Sequence, residues 1–292
     1  MRPGIRAKLS AALLLAVVLA AAASAWVAVR VYGAFSEDTT TRELGAARQT
    51  VQAILDLRQE AALGHAGVLA QRDDVRAAIV ARDREALVRL GRRLQQQHGL
   101  DVVVITDAAG VVLARGHAPA AYGDDASEFV TVRGALHGLA LATIRRAPII
   151  RLGTTGGAPV FERRPPYRVM GTVTAGFGLG QSFVADLKKT IGFDVSFILD
   201  GARHVTTLPG SHAPHPVALA VTRAPGETPP VDLRVGREEY RAVYAALRGR
   251  DSSAAVGGIE IAKDLSGEKA ARARVVWTVA GAVSTWSRSF LQ

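Results

Sequence analysis

The chain reads as an α+β protein in which a long N-terminal helix leads into two tandem modules of similar fold, each built on an antiparallel sheet. Three observations predict this. An uncharged apolar run opens the chain, a stretch of helical periodicity follows it, and one segment of strands and turns recurs 93 residues later.

The apolar run is Leu9 to Val29, 21 residues without a charge, mostly Ala, Leu and Val. At about 1.5 Å per helical residue it matches the roughly 30 Å hydrocarbon core of a bilayer. Arg2, Arg6 and Lys8 precede it, and the first acidic residue is Glu37. Positive charge holds the near side in the cytoplasm, so residues 1–8 are cytoplasmic, 9–32 form a membrane helix, and the rest is exported. The expected location is the inner (plasma) membrane, with the body periplasmic or extracellular. Ala23-Ser24-Ala25 also fits a signal-peptide cleavage site, which would release that body. The run continues past it through Trp26 and Val27, longer than a signal-peptide core, which favours the anchor.

The chain has 292 residues, room for one large or two smaller domains beyond the anchor, and no cysteine. Disulfides, thiolate metal sites and cysteine nucleophiles are thereby excluded. The formal charge is +10. Arg2, Arg6, Lys8, Arg30 and Arg288 lie at the membrane ends, and the other 31 cations exceed the 26 acidic residues by five. That excess forms no basic stripe interleaved with aromatics, so nucleic acid is not an expected partner. It does suit a pocket that favours anions.

From Glu37 to Ala70 the pattern is helical, with Leu44, Ala47, Val51, Ile54, Ala61 and Val68 at three-, four- and seven-residue steps and no proline. Residues 33–93 are therefore read as a stalk whose apolar stripe packs on its own domain or on a second protomer. Both arrangements, the second a homodimer, fit an alanine-rich stripe.

The repeat joins residues 94–112 to 187–205. Leu94 matches Leu187, Gly99 Gly192, Asp101-Val102 Asp194-Val195, Ile105 Ile198, Asp107 Asp200, Ala109 Ala202 and Val112 Val205. Each copy reads as a helix end, a glycine stop, a strand, a tight turn and a second strand. The turns are Asp107-Ala108-Ala109-Gly110 and Asp200-Gly201. Arg168 to Phe177 alternates as a strand, and Gly257 to Ala262 echoes Met170 to Ala175. Duplication then places one module at 94–178 and another at 179–266. In the first, a helix is expected at Ser127–His137 and strands near Leu139–Arg145 and Ala158–Glu162. In the second, a proline-rich segment precedes a strand at Val231–Val235 and a helix at Glu238–Leu247.

At Leu100-Asp101-Val102-Val103-Val104-Ile105-Thr106-Asp107-Ala108-Ala109-Gly110, Tyr122-Gly123-Asp124-Asp125, Val169–Phe177 and Ala255–Ser266, the chain resembles double Cache sensor domains, whose two modules are PAS-like. The likeness covers residues 37–266. It implies an extracytoplasmic ligand-sensing region of a bacterial receptor (a two-component sensor kinase, a cyclase or a chemoreceptor). Such a region binds a small molecule and relays the signal through its membrane helices. Val275 to Trp286 is apolar but too short to span, and Arg288 interrupts it. Residues 267–292 are therefore read as a truncated second membrane helix, with no kinase or cyclase domain in the chain.

No catalytic set or cofactor motif emerges, so the chain is not expected to be an enzyme. His212-Ala-Pro-His215 reads as solvated loop histidines rather than a zinc site. Gly153-Thr-Thr-Gly156-Gly157 lacks the lysine of a phosphate loop and reads as a flexible strand connection. Gly176-Phe-Gly178-Leu-Gly180 reads as the link between modules. Asp73-Asp74 and Asp124-Asp125 point apart and suit capping. The candidate ligand contacts are Arg115 at a strand end, His117 and Tyr122 in the next loop, and Arg133 on the covering helix; together they suit an anionic metabolite. Two other functions stay open: an exported membrane-tethered hydrolase, and a binding protein released after Ala25.

Overall fold

A computed structural model describes residues 5–147, 150–210, 229–249, 255–271, 273, 274 and 277. His212 and His215 lie outside these residues, as do residues 278–292 of the expected second membrane helix. Helix α1 spans Ile5–Ala70, and two short helices follow, α2 (Asp73–Val80) and α3 (Arg84–His98). The apolar run at 9–29 is the first part of α1. Among the described residues, no helix is long and apolar enough to cross a membrane.

The first sheet has strands β1 (Val102–Asp107), β2 (Val112–Arg115), β3 (Leu141–Arg145), β4 (Gly153–Phe161) and β5 (Val169–Gly178), ordered β2-β1-β5-β4-β3. Helix α4 (Val130–Leu136) lies between β2 and β3 in sequence, within the expected 127–137. Helix α5 (Gln181–Ile191) opens the second module. Its sheet has β6 (Asp194–Leu199), β7 (Ala202–Thr206), β8 (Val231–Val235), β9 (Glu238–Arg248) and β10 (Ala255–Asp264), ordered β7-β6-β10-β9-β8. The two orders are the same, as duplication requires.

Both glycine stops behave as expected. Gly99 (φ 61°) and Gly192 (φ 78°) end α3 and α5 in the left-handed region. At its start α3 is capped by Asp83, whose side chain accepts from the Ala86 N–H at 2.9 Å.

Three expectations are corrected. Glu238–Leu247 is strand, not helix. Gly236 (φ 63°) and Arg237 form a two-residue turn that pairs Val235 with Glu238, and Tyr240, Ala242 and Tyr244 are buried along β9. Cross-strand pairing overrides the helix propensity of its Ala, Glu and Arg residues. Gly153–Gly157 is not a loose connection but the first half of β4. A Cβ at Gly156 would collide with the α1 backbone at Ala62 and Leu63, and one at Gly157 with the Thr131 carbonyl on α4. The glycines let two helices sit directly on the strand.

The third correction concerns the stalk stripe. Leu44, Ala47 and Val51 are buried as expected, but beyond them burial falls on Leu55, Ala62 and Leu69 rather than Ile54, Ala61 and Val68. At about 100° per residue, Leu55, Ala62 and Leu69 stay within about 20° of Leu44, whereas the three-residue step to Ile54 and the seven-residue drift after it carry Val68 about 120° away.

The chain divides into two compact units, Ala47–Pro229 with Val243–Ile261, and Met1–Ala46 with Pro230–Ala242 and Ala262–Gln292. In the larger unit, one face of the first sheet (Val103, Ile105, Val173, Ala175) packs on α1, α2 and α3 through Leu69, Val75, Leu87 and Leu94. Its other face carries Val102, Val104 and Val112 against Ala126 and Val132. In the smaller unit, Lys263 Nζ bonds Glu43 (2.7 Å), Glu268 (2.6 Å) and the Thr40 hydroxyl (3.1 Å). Glu268 also accepts from Ser36 and Thr40, and Glu239 is held by Arg234 (2.5 Å) and Lys269.

Candidate functional site

β1 is apolar on both faces because each face has a role. Val103 and Ile105 enter the core, while Val102 and Val104 floor a cavity of about 360 Å³ on the opposite side. Val104 faces Thr174 of β5 across the ladder, so Thr174 shares that floor. The wall and roof come from the segment after β2, which folds back along the sheet edge. Val112 donates to the Asp124 carbonyl, Gly123 (φ 84°) donates to the Val112 carbonyl, and Asp125 bridges to Val111. Phe129 and Val132 then bring α4 over the opening.

The polar lining is Arg115, His117, Asp124, Asp125, Arg145 and Thr174. Arg115 binds Asp124 through two parallel bonds of 2.7 Å and also donates to the Ala121 carbonyl at 2.9 Å. These bonds hold the Asp124 carboxyl below the ordinary range. Asp125 accepts from the Ser127 N–H at 2.8 Å, which leaves it a turn-forming role. The Arg145 guanidinium lies over the Phe129 ring at 4.0 Å. Burial, with Arg115 and Arg145 nearby, pushes His117 below the usual histidine range, so it is neutral at pH 7. His117 Nδ1 and Thr174 Oγ1 are buried and have no hydrogen-bond partner among the described residues. Buried polar atoms are normally satisfied, so these two mark places for a ligand's or water's polar groups.

Of the four candidates, Arg115 and His117 line this cavity; Tyr122 and Arg133 do not. Tyr122 is exposed beneath the Arg84 guanidinium, 3.8 Å from the ring, and Arg84 also donates to the Pro119 carbonyl. Arg133 is exposed on α4. Arg145 and Thr174 complete the polar lining. Thr174 carried a signal, since the alternation of Arg168–Phe177 puts it opposite Val173 and Ala175. Arg145 carried none, because the facing of β3 depends on its partner β4.

A family model described as a double sensory domain of two-component sensor kinases matches residues 40–268. The chain belongs to this double Cache family. The double Cache region is sensory rather than catalytic. No curated protein sequence matches the chain. Among solved structures, the periplasmic domain of Vibrio cholerae LuxQ is similar, with a TM-score of 0.51 and 14% identity over 76% of this chain and 99% of that one. The ligand-binding domain of the Campylobacter jejuni chemoreceptor Tlp3, crystallised with 4-methylisoleucine, has a TM-score of 0.50 and 12% identity over 80% and 92%. At these identities the likeness is one of fold, and it covers both double Cache modules.

Proposed function

We propose that the chain is the extracytoplasmic sensing region of a bacterial membrane receptor, tethered by residues 9–32, whose first module binds a small carboxylate-bearing metabolite with an apolar body. The second module passes the change on towards the membrane. The observation that carries this reading is the cavity, apolar over its roof and, apart from Thr174, over its floor, and edged by Arg115, His117 and Arg145. Unpartnered His117 Nδ1 and Thr174 Oγ1 lie in the same lining. Its volume, about 360 Å³, falls within the range of small-molecule sites. The similar Tlp3 domain holds a branched-chain amino acid, a ligand of this size and polarity.

Thermal unfolding of the whole chain in detergent, against a panel of mono- and dicarboxylates and amino acids, tests this. The expected result is a small set of stabilising ligands whose effect disappears in Arg145→Ala and Thr174→Val. Ligands that stabilise both variants as well as the parent would refute it.

A homodimer through α1 is part of the same proposal. Leu57, Ala61, Gly64 and Val68 form an exposed apolar stripe at three- and four-residue steps on the face turned away from the core. Light scattering of the detergent-solubilised chain should give a dimer mass, and Leu57→Lys with Val68→Lys should halve it.

A further inference from the structure

The two sheets share a bulge as well as an order. In the first, the register steps between Ile105 and Thr106, so Val104 faces Arg115, Ile105 faces Ala114 and Thr106 faces Val112. In the second, it steps between Phe197 and Ile198, so Ser196 faces Thr206, Phe197 faces Val205 and Ile198 faces Arg203. Counted from the bulge, Ser196 stands where the first module has Val104, and Arg203 where it has Val112. Val104 floors the ligand cavity and Val112 packs beside it.

On this face of the second module, two apolar positions have therefore become a hydroxyl and a cation. Arg203 meets Glu260 of β10 through two bonds, Nε to Oε2 at 2.6 Å and Nη2 to Oε1 at 2.8 Å. The Tyr244 hydroxyl donates to Glu260 Oε1 at 2.6 Å, and the Ser196 hydroxyl, bonded at 2.7 Å to that of Thr206, lies beside the same carboxylate. The Arg203 side chain is 5% exposed and that of Glu260 0%. A guanidinium fork and two hydroxyls around one carboxylate are the donors that a carboxylate ligand requires.

We propose that the second module is self-liganded: the Glu260 carboxylate, held by Arg203 and Tyr244, fills on this sheet the place the first module leaves for a soluble ligand. The donors form a carboxylate site whose occupant is covalently tethered. Tethering gives that occupant an effective concentration that free metabolites do not match. The chain then takes up one ligand, in its first module, and the second responds to none. That the chain takes up one ligand rests on the proposed reading of the first cavity, whereas the tethered occupant of the second rests on the donors around Glu260.

Removing the tethered carboxylate should turn the site into a receptor for a small free one. The probe is acetate, added at tens of millimolar to the whole chain in detergent, with chloride at matched ionic strength as the control. Glu260→Ala should lower Tm by about 5–10 °C, since it leaves Arg203 buried without its counter-charge. Acetate should recover much of that loss, chloride should not, and the parent should show only the smaller response that its first-module cavity gives. Arg203→Met combined with Glu260→Ala should fall back to the parent's response. The proposal is overturned by an acetate response no larger in Glu260→Ala than in the parent, or by one in the double variant that stays as large as in Glu260→Ala. If Glu260→Ala folds only when purified in acetate, the proposal is supported; if it folds neither with nor without acetate, it is overturned.

Discussion

Arg115 and Asp124 form a bidentate ion pair, two bonds of 2.7 Å, at the edge of the first module's cavity. The Arg115 side chain is only 12% exposed, while that of Asp124 is 53% exposed. The pair pins the returning loop to the end of β2 and keeps the cation aimed at the cavity.

Separating these two roles gives the first prediction. Arg115→Lys keeps the charge but loses the fork, so affinity for a carboxylate ligand should fall about tenfold or more. Asp124→Asn removes the competing anion and should strengthen binding of the same ligand while loosening the loop. Isothermal titration of both variants checks this; equal losses in the two would mean that the pair serves the loop alone.

His117 supplies the second. Its folded pKa lies below the ordinary value because of burial and the cations Arg115 and Arg145. A carboxylate placed beside it offsets both effects and raises that pKa. Between the free and bound values the complex holds more protons, so affinity should rise as pH falls towards 6 or below. It should weaken again only when the ligand's own carboxyl is protonated. Titrations in buffers of different ionisation enthalpy should show proton uptake, and His117→Asn should abolish it.

Glycine substitutions in the larger unit should sort by what lies beyond them. Gly156→Ala and Gly157→Ala force a Cβ into the backbone of α1 or α4, and each should cost about 1–3 kcal/mol in urea unfolding. Gly64→Ala meets nothing within 4 Å on the exposed side of α1, and should stabilise by up to about 1 kcal/mol.

The Lys263–Glu43–Glu268 network in the smaller unit predicts salt and acid sensitivity. Glu268→Ala removes acceptors for Ser36, Thr40 and Lys263, and should cost about 1–2 kcal/mol, less at high salt. Glu239, bonded first by Lys269 and then by Arg234, is lowered from 4.5 to about 2. A lowered carboxyl stabilises above its unfolded value, so this contribution should be complete above pH 5 and fade as pH falls towards 2. Acid unfolding of Glu239→Gln should lack that component.

Much of this fold follows from local chemistry alone. A left-handed residue is needed where a helix turns into a strand, so Gly99 and Gly192 mark the start of each module without any knowledge of tertiary contacts. Alternation along Val169–Phe177 and the turn after Asp107 are equally local. The gapless spacing of 93 is true at the caps, but β1 and β6 start at Val102 and Asp194, one residue closer. One residue fewer between cap and strand, and one fewer in the turn that follows, leave identities high while moving the side chains to other ladder positions. The spacing of 93 therefore matches Val112 to Val205, whereas the bulge matches it to Arg203.

The membrane-length apolar run, the charge balance, the glycine stops and the existence of two modules are properties of consecutive residues, and the sequence determined them by itself. Only the tertiary structure decided that Glu238–Leu247 extends as a strand, that the Gly153–Gly157 run makes room for two helices, and that Arg145 and Thr174 meet Arg115 and His117. It also decided what the opening apolar run leads to: a cavity in one module and, on the matching face of the other, a buried carboxylate. The physical reason is that the facing of a strand and the satisfaction of a buried charge depend on partners distant in sequence, and only folding brings those partners together.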